Sequence, residues 1–436
     1  MKPYSSYKDS GIEWIGEIPS GWNTVRNKYL FDVIKTVVGE EHGKYQLLSL
    51  TKRGVVLRDI ESGKGKFPES FDTYQTVNKD ELIFCLYDID ETPRTVGISN
   101  YSGMISGSYK IVKCNTLTNP KFIYYNYLSI DDVKGLRPYY TGLRKVVRTE
   151  TFLNLKVRVP PLQEQQQISD YLDYKISRID TLLEKTQQKI ELLKEQRTSL
   201  INTTVTKGLN PNVEMKDSGV EWIGEIPSGW NVKRLKYISK ILPSNVNKHI
   251  FPEEIQVRLC NYTDVYYNEL IDGNTQLSKG SCNQDEYNKF WLREGDVIIT
   301  KDSETSDDIG IPTEVKEDLT DVVCGYHLTL IRPLDVVGSY IFRFIQSDRI
   351  RRYFEINSDG VTRFGLGKPT IQNMYLPIPP LQEQQKIVDY LDLETSKIDK
   401  LVENETKRIV LLKEYRQSLI SEVVTGKVDV RDEVLV

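Results

Sequence analysis

The stretch PPLQEQQQISDYLDYKISRIDTLLEKTQQKIELLKEQRTSL, residues 160–200, recurs at residues 379–419 as PPLQEQQKIVDYLDLETSKIDKLVENETKRIVLLKEYRQSL. Apolar residues follow alternating three- and four-residue spacings in both copies, as in a helix that buries one stripe. Each proline pair suits a helix start, and the QEQQ sequences at 163–166 and 382–385 are interpreted as exposed first turns. At about 1.5 Å per residue, roughly 40 residues form a rod near 60 Å, so the repeat predicts two long helices suited to separating domains.

The apolar stripe predicts where these helices pack. Its members are Ile176, Ile179, Leu183, Ile190, Leu193 and Leu200 in the first copy, and Ile398, Val402, Ile409, Leu412 and Leu419 in the second. Polar residues interrupt the stripe at matched positions, Thr186 against Glu405 and Arg197 against Arg416. Such interruptions lower stability but fix alignment, which favours a coiled coil formed by the two helices. The alternative is that each helix packs only on its own domain.

A second repeat precedes each long helix. KDSGIEWIGEIPSGWNTVRNKYL at residues 8–30 returns as KDSGVEWIGEIPSGWNVKRLKYI at residues 216–238. We call these the head segments. Their tryptophans, Trp14, Trp22, Trp222 and Trp230, either pack internally against the base of a helix or contact a partner. The predicted domains are residues 1–159 with the first head, the helix 160–207, residues 208–378 with the second head, and the second helix with its tail, 379–436.

The regions between head and helix differ in sequence, and we call them the first and second variable domains. DELIFCLYDI and GSYKIVKC in the first, and GDVIITKD and GYHLTLIRP in the second, are short β-type runs between turn residues. PKFIYYNYLSID and GSYIFRFIQSDRIRRYF each predict one helical stretch. The two domains are therefore predicted to share one α+β fold with different surfaces.

The composition is that of a soluble globular protein, with 39% hydrophobic and 28% charged residues. No apolar run reaches the roughly 18 residues of a membrane span, and the start MKPYSSYKDSGIEW lacks the apolar core of a signal peptide. We therefore expect a cytoplasmic protein whose five cysteines are reduced. With three histidines and no CxxC pair, no metal site is expected.

Charge is unevenly distributed along the chain. The net charge of -4 argues against a uniformly basic nucleic-acid binder. However, residues 134–158 carry one acid, Glu150, among seven basic residues: Lys134, Arg137, Arg144, Lys145, Arg148, Lys156 and Arg158. Arginines at positions 343, 349, 351 and 352 form a second cluster. Nearly identical repeats beside divergent domains suggest one task done twice by the repeats, and two different recognition tasks for the variable domains.

The doubled WIGEIPSGW, the doubled PPLQEQQ before a long helix and the alternation with variable domains resemble the specificity subunit of type I restriction-modification enzymes over essentially the whole chain. The resemblance implies that each variable domain reads one half of a split, asymmetric DNA sequence and that the long helices pair antiparallel. It implies two docked modification subunits that use S-adenosylmethionine to methylate adenine. It also implies restriction subunits that use ATP, with magnesium expected there, and no cofactor or catalytic residue on this chain.

The residues themselves also give no catalytic candidate. No NPPY or DPPY sequence is present, as an amino-methyltransferase would need, and GVTRFGLGKPT at 360–370 departs from a phosphate loop because Pro369 replaces the magnesium-binding hydroxyl residue. Two alternatives remain: a non-enzymatic scaffold with peptide-binding variable domains, and a subunit of a methylation-only system. DNA affinity that falls steeply with salt would separate DNA reader from scaffold.

Base reading needs donors and acceptors matched to base edges, with phosphate contacts to set position. In the first variable domain the candidates are Asp88, Asp90, Thr92, Arg94, Arg137, Tyr139, Tyr140, Arg144, Lys145 and Arg148. In the second they are Lys301, Asp302, Ser303, Arg363 and Lys368, with Arg349, Arg351 and Arg352 for phosphates. Any single one of them could instead be a solvated surface charge.

Overall fold

A computed structural model describes residues 2–59 and 70–433. The chain divides into two compact units. Unit 1 contains Met1–Gln187 and Lys407–Val436, and unit 2 contains Gln188–Thr406. Each unit therefore holds one head segment, one variable domain and one part of each long helix. The domain boundaries at residues 159 and 378 stay predictions.

Unit 1 combines short strands with α-helices, and the last part of the second long helix also lies in it. The strands are β1 Tyr7–Asp9, β2 Glu17–Pro19, β3 Asn23–Arg26, β4 Phe31–Ile34, β5 Leu48–Thr51, β6 Gly54–Leu57, β7 Gln75–Val77, β8 Leu82–Phe84, β9 Val96–Ile98, β10 Gly103–Ile105, β11 Lys110–Cys114 and β12 Lys156–Val159. The helices are α1 Pro120–Asp132, α2 Thr149–Asn154 and the first part of α3 Leu162–Lys207. Asn119 caps α1 by accepting hydrogen bonds from the backbone of Lys121 and Phe122.

Unit 2 repeats this plan with more elements. Its strands are β13 Met215–Asp217, β14 Glu225–Pro227, β15 Asn231–Arg234, β16 Ser239–Pro243, β17 Ile255–Cys260, β18 Leu270–Ile271, β19 Ser278–Cys282, β20 Trp291–Leu292, β21 Val297–Thr300, β22 Asp302–Ser303, β23 Pro312–Val315, β24 Leu319–Cys324, β25 Leu328–Pro333, β26 Phe364–Gly365 and β27 Tyr375–Ile378. Its helices are α4 Tyr262–Tyr267, α5 Gln284–Phe290, α6 Gly338–Ile345, α7 Asp348–Ile356, α8 Lys368–Asn373 and α9 Leu381–Val424, whose last part lies in unit 1.

The central sheets of the two variable domains have the same strand order. In unit 1 the order is β4-β11-β8-β9, and in unit 2 it is β16-β25-β21-β23, extended by β18. All the pairs in this common order are antiparallel. Each predicted β-type run contains one of these strands. β8 and β21 are buried at every position, which is why their runs are continuously apolar. The mixed α and β content agrees with the predicted fold class.

The predicted single helix at residues 338–354 is wrong in detail. The structure has two helices, α6 and α7, separated by Gln346 and Ser347. The Ser347 hydroxyl donates a hydrogen bond to the carbonyl of Phe344 at 2.6 Å, and the backbone N–H of Asp348 bonds the Asn202 side chain at 2.9 Å. Side chains thus satisfy the backbone groups where α6 ends and α7 begins. The spacing of apolar residues does not reveal this break.

The long helices contribute to the core of each unit. In unit 1, Leu172 of α3 and Leu419 of α9 lie in one apolar cluster. In unit 2, Ile201 of α3 and Leu391 of α9 do the same. Every member of the predicted apolar stripe is buried or half-buried. The polar interruptions Thr186 and Glu405 are buried too, at 4% and 9% exposure.

Equivalent ion pairs join the long helices inside each unit. Arg416 donates through Nε to Asp180 at 2.9 Å in unit 1, and Arg197 donates through Nε to Asp399 at 2.9 Å in unit 2. The arginines occupy matched positions of the repeat, and so do the aspartates. Each interruption of the stripe by arginine therefore has a charge partner on the other helix.

Candidate nucleic-acid interface

In the first variable domain, three of the predicted residues converge on Asp90 in the loop after β8. Arg137 donates through Nε at 2.6 Å, the Lys145 ammonium lies at 3.0 Å and the Tyr140 hydroxyl donates at 3.3 Å. The hydrogen bonds from Lys145 and Arg137 hold the pKa of Asp90 below its usual range, and the same carboxylate raises the pKa of Lys145. The loop is a set of paired charges arranged around one acid.

Backbone contacts hold this loop against the segment that precedes α2. The N–H of Asp88 donates to the carbonyl of Arg144 at 2.9 Å, and the N–H of Val147 donates to the carbonyl of Leu86 at 2.8 Å. Asp88 and Lys145 both have positive φ, 48° and 45°, which is uncommon outside glycine and often marks functional loops. The side chains of Arg144 and Arg148 are exposed and have no partner among the residues that the structure describes.

The other candidates of the first domain face inward. The Thr92 hydroxyl donates to the carbonyl of Tyr87 at 3.2 Å, and Arg94 donates to the carbonyl of Lys52 at 3.3 Å. Tyr139 packs against the core of unit 1.

In the second variable domain, the equivalent loop after β21 forms the short strand β22 and pairs with β26, before α8. Asp302 accepts a hydrogen bond from Nδ1 of His327 at 2.5 Å, and Nη2 of Arg363 lies 3.4 Å from each nitrogen of that ring. His327 has a positive φ of 68°. Sequence reasoning did not select this histidine. His327 lies within the predicted β-type run GYHLTLIRP, and nothing in that pattern marks it for DNA contact.

Three tyrosines of α4 face this group. A cleft of about 850 Å³ is lined by Tyr262, Tyr266 and Tyr267 together with Asp302, Asp308, His327 and Arg363, among others. The rings of Tyr262 and Tyr266 stack with centroids 5.7 Å apart. Ser303 lies at the bottom of the cleft with 8% exposure. None of these tyrosines was selected from the sequence.

The remaining cations of the second domain do not form one patch with Asp302. Arg349 donates from Nη1 to the carbonyls of Trp222 and Ile223, both at 2.6 Å, and so ties α7 to the head segment. Arg351 donates to the carbonyl of Asp307 at 3.3 Å. Arg352 and Lys368 are exposed, and Lys301 is half-buried beside the cleft loop. In the described part of the chain, Arg352 and Lys368 have no side-chain partner.

The head segments contact the first turns of the long helices in the same way in both units. Trp22 donates from Nε1 to Glu164 at 2.9 Å, and Trp230 donates to Glu383 at 3.0 Å. Both tryptophans are buried, at 0% and 1% exposure, while Trp14 is 44% exposed. We call each Trp–Glu pair a head–helix contact. Trp222 is half-buried, with its ring 5.5 Å from that of Tyr353.

The prediction that the QEQQ sequences are exposed is wrong at three positions. Glu164, Gln165 and Gln384 are buried. Gln165 donates to the carbonyl of Pro160 at 3.0 Å and accepts from the N–H of Asn119, the cap of α1. Gln384 likewise donates to the carbonyl of Pro379 at 2.8 Å and accepts from the N–H of Val337, the cap of α6. One carboxamide thus joins a long helix to a variable-domain helix in each unit. In the sequence, the identity of PPLQEQQ in both copies was the available sign that these glutamines make the same contact twice.

Two further properties of the described residues bear on the class of protein. Within residues 2–59 and 70–433, no group of three or more His, Cys, Asp or Glu side chains is arranged to hold a metal ion. None of the described helices has the length and apolar character to cross a membrane. The chain has two variable α+β domains whose loops contain paired charges. Each domain is accompanied by a head segment and packs with the long helices.

Comparison with known proteins identifies this architecture. Residues 19–192 and 227–414 match the family model for the type I restriction modification DNA specificity domain. The chain belongs to this family, and the resemblance seen in the sequence is confirmed.

Two curated relatives match along nearly their whole length. The chain is 22% identical over 430 residues to the type I restriction enzyme MjaVIII specificity subunit of Methanocaldococcus jannaschii, with 95% of each chain covered. It is 21% identical over 443 residues to the StySPI specificity subunit of Salmonella potsdam, covering 94% of this chain and 90% of that one.

Two solved structures share the fold. The first comes from work on complex assembly and conformational transition of the type I R-M system. Its TM-score is 0.65 at 15% identity, and the match covers 94% of this chain and 99% of that chain. The other is the HsdS subunit of Thermoanaerobacter tengcongensis, with a TM-score of 0.54 at 15% identity, covering 94% of this chain and 98% of its own.

Proposed function

We propose that this chain selects the DNA site of a type I restriction-modification complex, with each variable domain reading one half of a bipartite, asymmetric sequence. The observation that carries this proposal is the contrast between the two units. The head–helix contacts are alike, whereas the loops at equivalent places present different residues, centred on Asp90 in one domain and on Asp302 in the other. Two different surfaces on matching supports suit two different half-sites.

The long helices set the distance between the half-sites in this proposal. In unit 1 the first part of α3 contacts the last part of α9, and in unit 2 the last part of α3 contacts the first part of α9. This order of contacts supports an antiparallel coiled coil that acts as a spacer. Half-sites about one helical turn of DNA apart, near 34 Å, would place both on one side of the duplex.

The repeated elements serve as equivalent docking sites for two modification subunits. A nearly identical surface presented twice fits two copies of one partner. Those subunits would supply S-adenosylmethionine and methylate adenine, and restriction subunits would use ATP and magnesium to cut DNA. This chain is non-catalytic in the proposal and contributes recognition alone.

Domain exchange tests this function. Residues 31–159 are replaced by the corresponding domain of another specificity subunit, and methylated adenines are mapped in cells that also make the modification subunit. We expect one half-site to change and the other to stay. A parallel exchange of residues 239–378 should change the opposite half-site. If either exchange alters both half-sites, the modular assignment is wrong.

Lengthening both helices tests the spacer. Seven residues inserted after Gln187 and after Thr406, which are matched positions of the repeat, preserve the three-four apolar spacing. The insertion adds about 10 Å, roughly the length of three base pairs. We expect the number of unspecified base pairs between unchanged half-sites to rise. Altered half-sites at constant spacing would contradict the spacer role.

A further inference from the structure

The cleft of the second variable domain has the chemistry of a base-reading site. Its lining includes Tyr262 and Tyr266 of α4 together with Asp302, Asp308, His327 and Arg363. At about 850 Å³ it can admit base edges together with ordered water. Tyr262, Tyr266 and His327 lie outside the residues that the sequence selected for DNA contact.

The charges in the cleft argue against a phosphate as its occupant. Three carboxylates, those of Asp302, Glu304 and Asp308, line it against the single guanidinium of Arg363. Carboxylates repel a phosphodiester but accept hydrogen bonds from the amino groups of cytosine and adenine. An occupant that presents N–H donors therefore fits this cleft better than a backbone phosphate.

The polar groups of the cleft are held in fixed orientations. Tyr266 donates its hydroxyl proton to Asp308 at 2.7 Å, and this hydrogen bond raises the pKa of Tyr266 to about 12. Burial raises the pKa of Tyr262, followed by the charge of Asp308, so both phenols stay protonated near neutral pH. Asp302 accepts a hydrogen bond from Nδ1 of His327 and thereby orients the imidazole.

Resting on the proposed function, we propose that this cleft reads base edges of the second half-site, with His327 and Asp302 as its specificity-determining pair. The left-handed backbone of His327 brings its ring to the Asp302 carboxylate, and β26 brings Arg363 to the same ring. Without Asp302 the His327 ring loses the hydrogen bond that orients it, and without His327 the Asp302 carboxylate loses the same bond. The expected consequence is weaker discrimination between bases at the second half-site, while contacts to the DNA backbone are unaffected.

The test uses the full chain in complex with its modification subunit and a duplex panel in which each position of both half-sites is substituted in turn. The variants are His327→Asn, because asparagine tolerates positive φ, and Asp302→Asn. His249→Ala is the matched control, since His249 is an exposed histidine of the same domain outside the cleft. Binding is measured at several salt concentrations.

We expect discrimination at one or more positions of the second half-site to fall roughly tenfold or more, with the first half-site and the salt dependence unchanged. His249→Ala should match the parent chain. A uniform loss of affinity with a shallower salt dependence would make the cleft a phosphate contact and overturn the inference. Unchanged discrimination in both variants would overturn it as well. If the parent complex itself discriminates at neither half-site, the proposed function fails, which is a separate result.

Discussion

Trp22 and Trp230 make nearly the same hydrogen bond in the two units, to Glu164 at 2.9 Å and to Glu383 at 3.0 Å. At equivalent places in the variable domains, by contrast, Asp90 is bound by an arginine, a lysine and a tyrosine, whereas Asp302 is bound by a histidine. Under the proposed function, the contacts kept in both units would serve one partner twice. The loops that differ would meet different DNA half-sites, although the central strands of both domains keep one order.

The largest expected effect comes from breaking the head–helix contacts. Trp22→Ala and Trp230→Ala each empty a fully enclosed site and remove a donor from a glutamate, so each should lower the free energy of unfolding of its unit by about 3–5 kcal/mol. Denaturant unfolding of the full chain, followed by circular dichroism, measures both. Trp14→Ala is the control, with a smaller cost because Trp14 is 44% exposed. Costs that differ severalfold between Trp22 and Trp230 would show that the two contacts are not equivalent.

A second pair of changes tests the buried glutamines. Gln165→Ala and Gln384→Ala each leave a proline carbonyl and a cap N–H without a partner. The expected loss is about 1–3 kcal/mol of unfolding free energy in each unit. The same unfolding measurement applies. Gln163→Ala and Gln382→Ala, at exposed positions of the same turns, should change stability by less than about 0.5 kcal/mol. If the buried and the exposed glutamines lose the same unfolding free energy on substitution, the buried glutamines do not join the long helix to the variable-domain helix.

These glutamines show where sequence reasoning stops. Apolar spacing predicted the long helices, and short β-type runs between turn residues predicted the strands β8, β11, β21 and β25. A glutamine at a helix start carries no such pattern. Its burial depends on the cap of a helix 46 or 47 residues away in the chain, at Asn119 and Val337. The spacing of apolar residues within one helix gives no information about a contact between residues so far apart in the chain.

The candidate interface was predicted more completely in the first domain than in the second. Arg137, Tyr140 and Lys145 lie in a basic stretch and do converge on Asp90. The cleft of the second variable domain is lined by residues of α4, β22 and the turn before β25, which lie far apart in the sequence. Tyr262 and His327 stand in no charge cluster, so composition could not single them out. Whether these residues touch DNA stays a prediction.

A smaller effect is expected at the ion pairs of the long helices. Arg197 and Arg416 occupy matched positions, but Arg197 also bonds Glu269 at 2.6 Å. Exposed pairs contribute about 0.2–1 kcal/mol, so Arg416→Ala should fall in that range and Arg197→Ala above it. Double-mutant cycles with Asp180→Ala and Asp399→Ala isolate the two equivalent pairs. Coupling energies of similar size would support equivalent pairing, and coupling in one unit alone would contradict it.

The smallest effect concerns Asp90 and pH. Since the folded pKa of Asp90 is lowered by Lys145 and Arg137, its contribution is present above the ordinary aspartate pKa, about 4, and is lost as pH falls through the folded value. The raised pKa of Lys145 makes the lysine contribution present below about 10 and lost as pH rises through its folded value.

Hydrogen exchange of residues 86–94, corrected for intrinsic rates, measures this dependence. We expect protection in the parent chain to decline on the acid side and Asp90→Asn to remove that decline. Glu91→Gln is the control, because Glu91 is 78% exposed and lies 3.7 Å from Lys145. If Glu91→Gln abolishes the acid-side decline and Asp90→Asn keeps it, the loop is organised by a different carboxylate. Asp90 would then no longer be the acid of the first-domain loop to compare with Asp302 in the second.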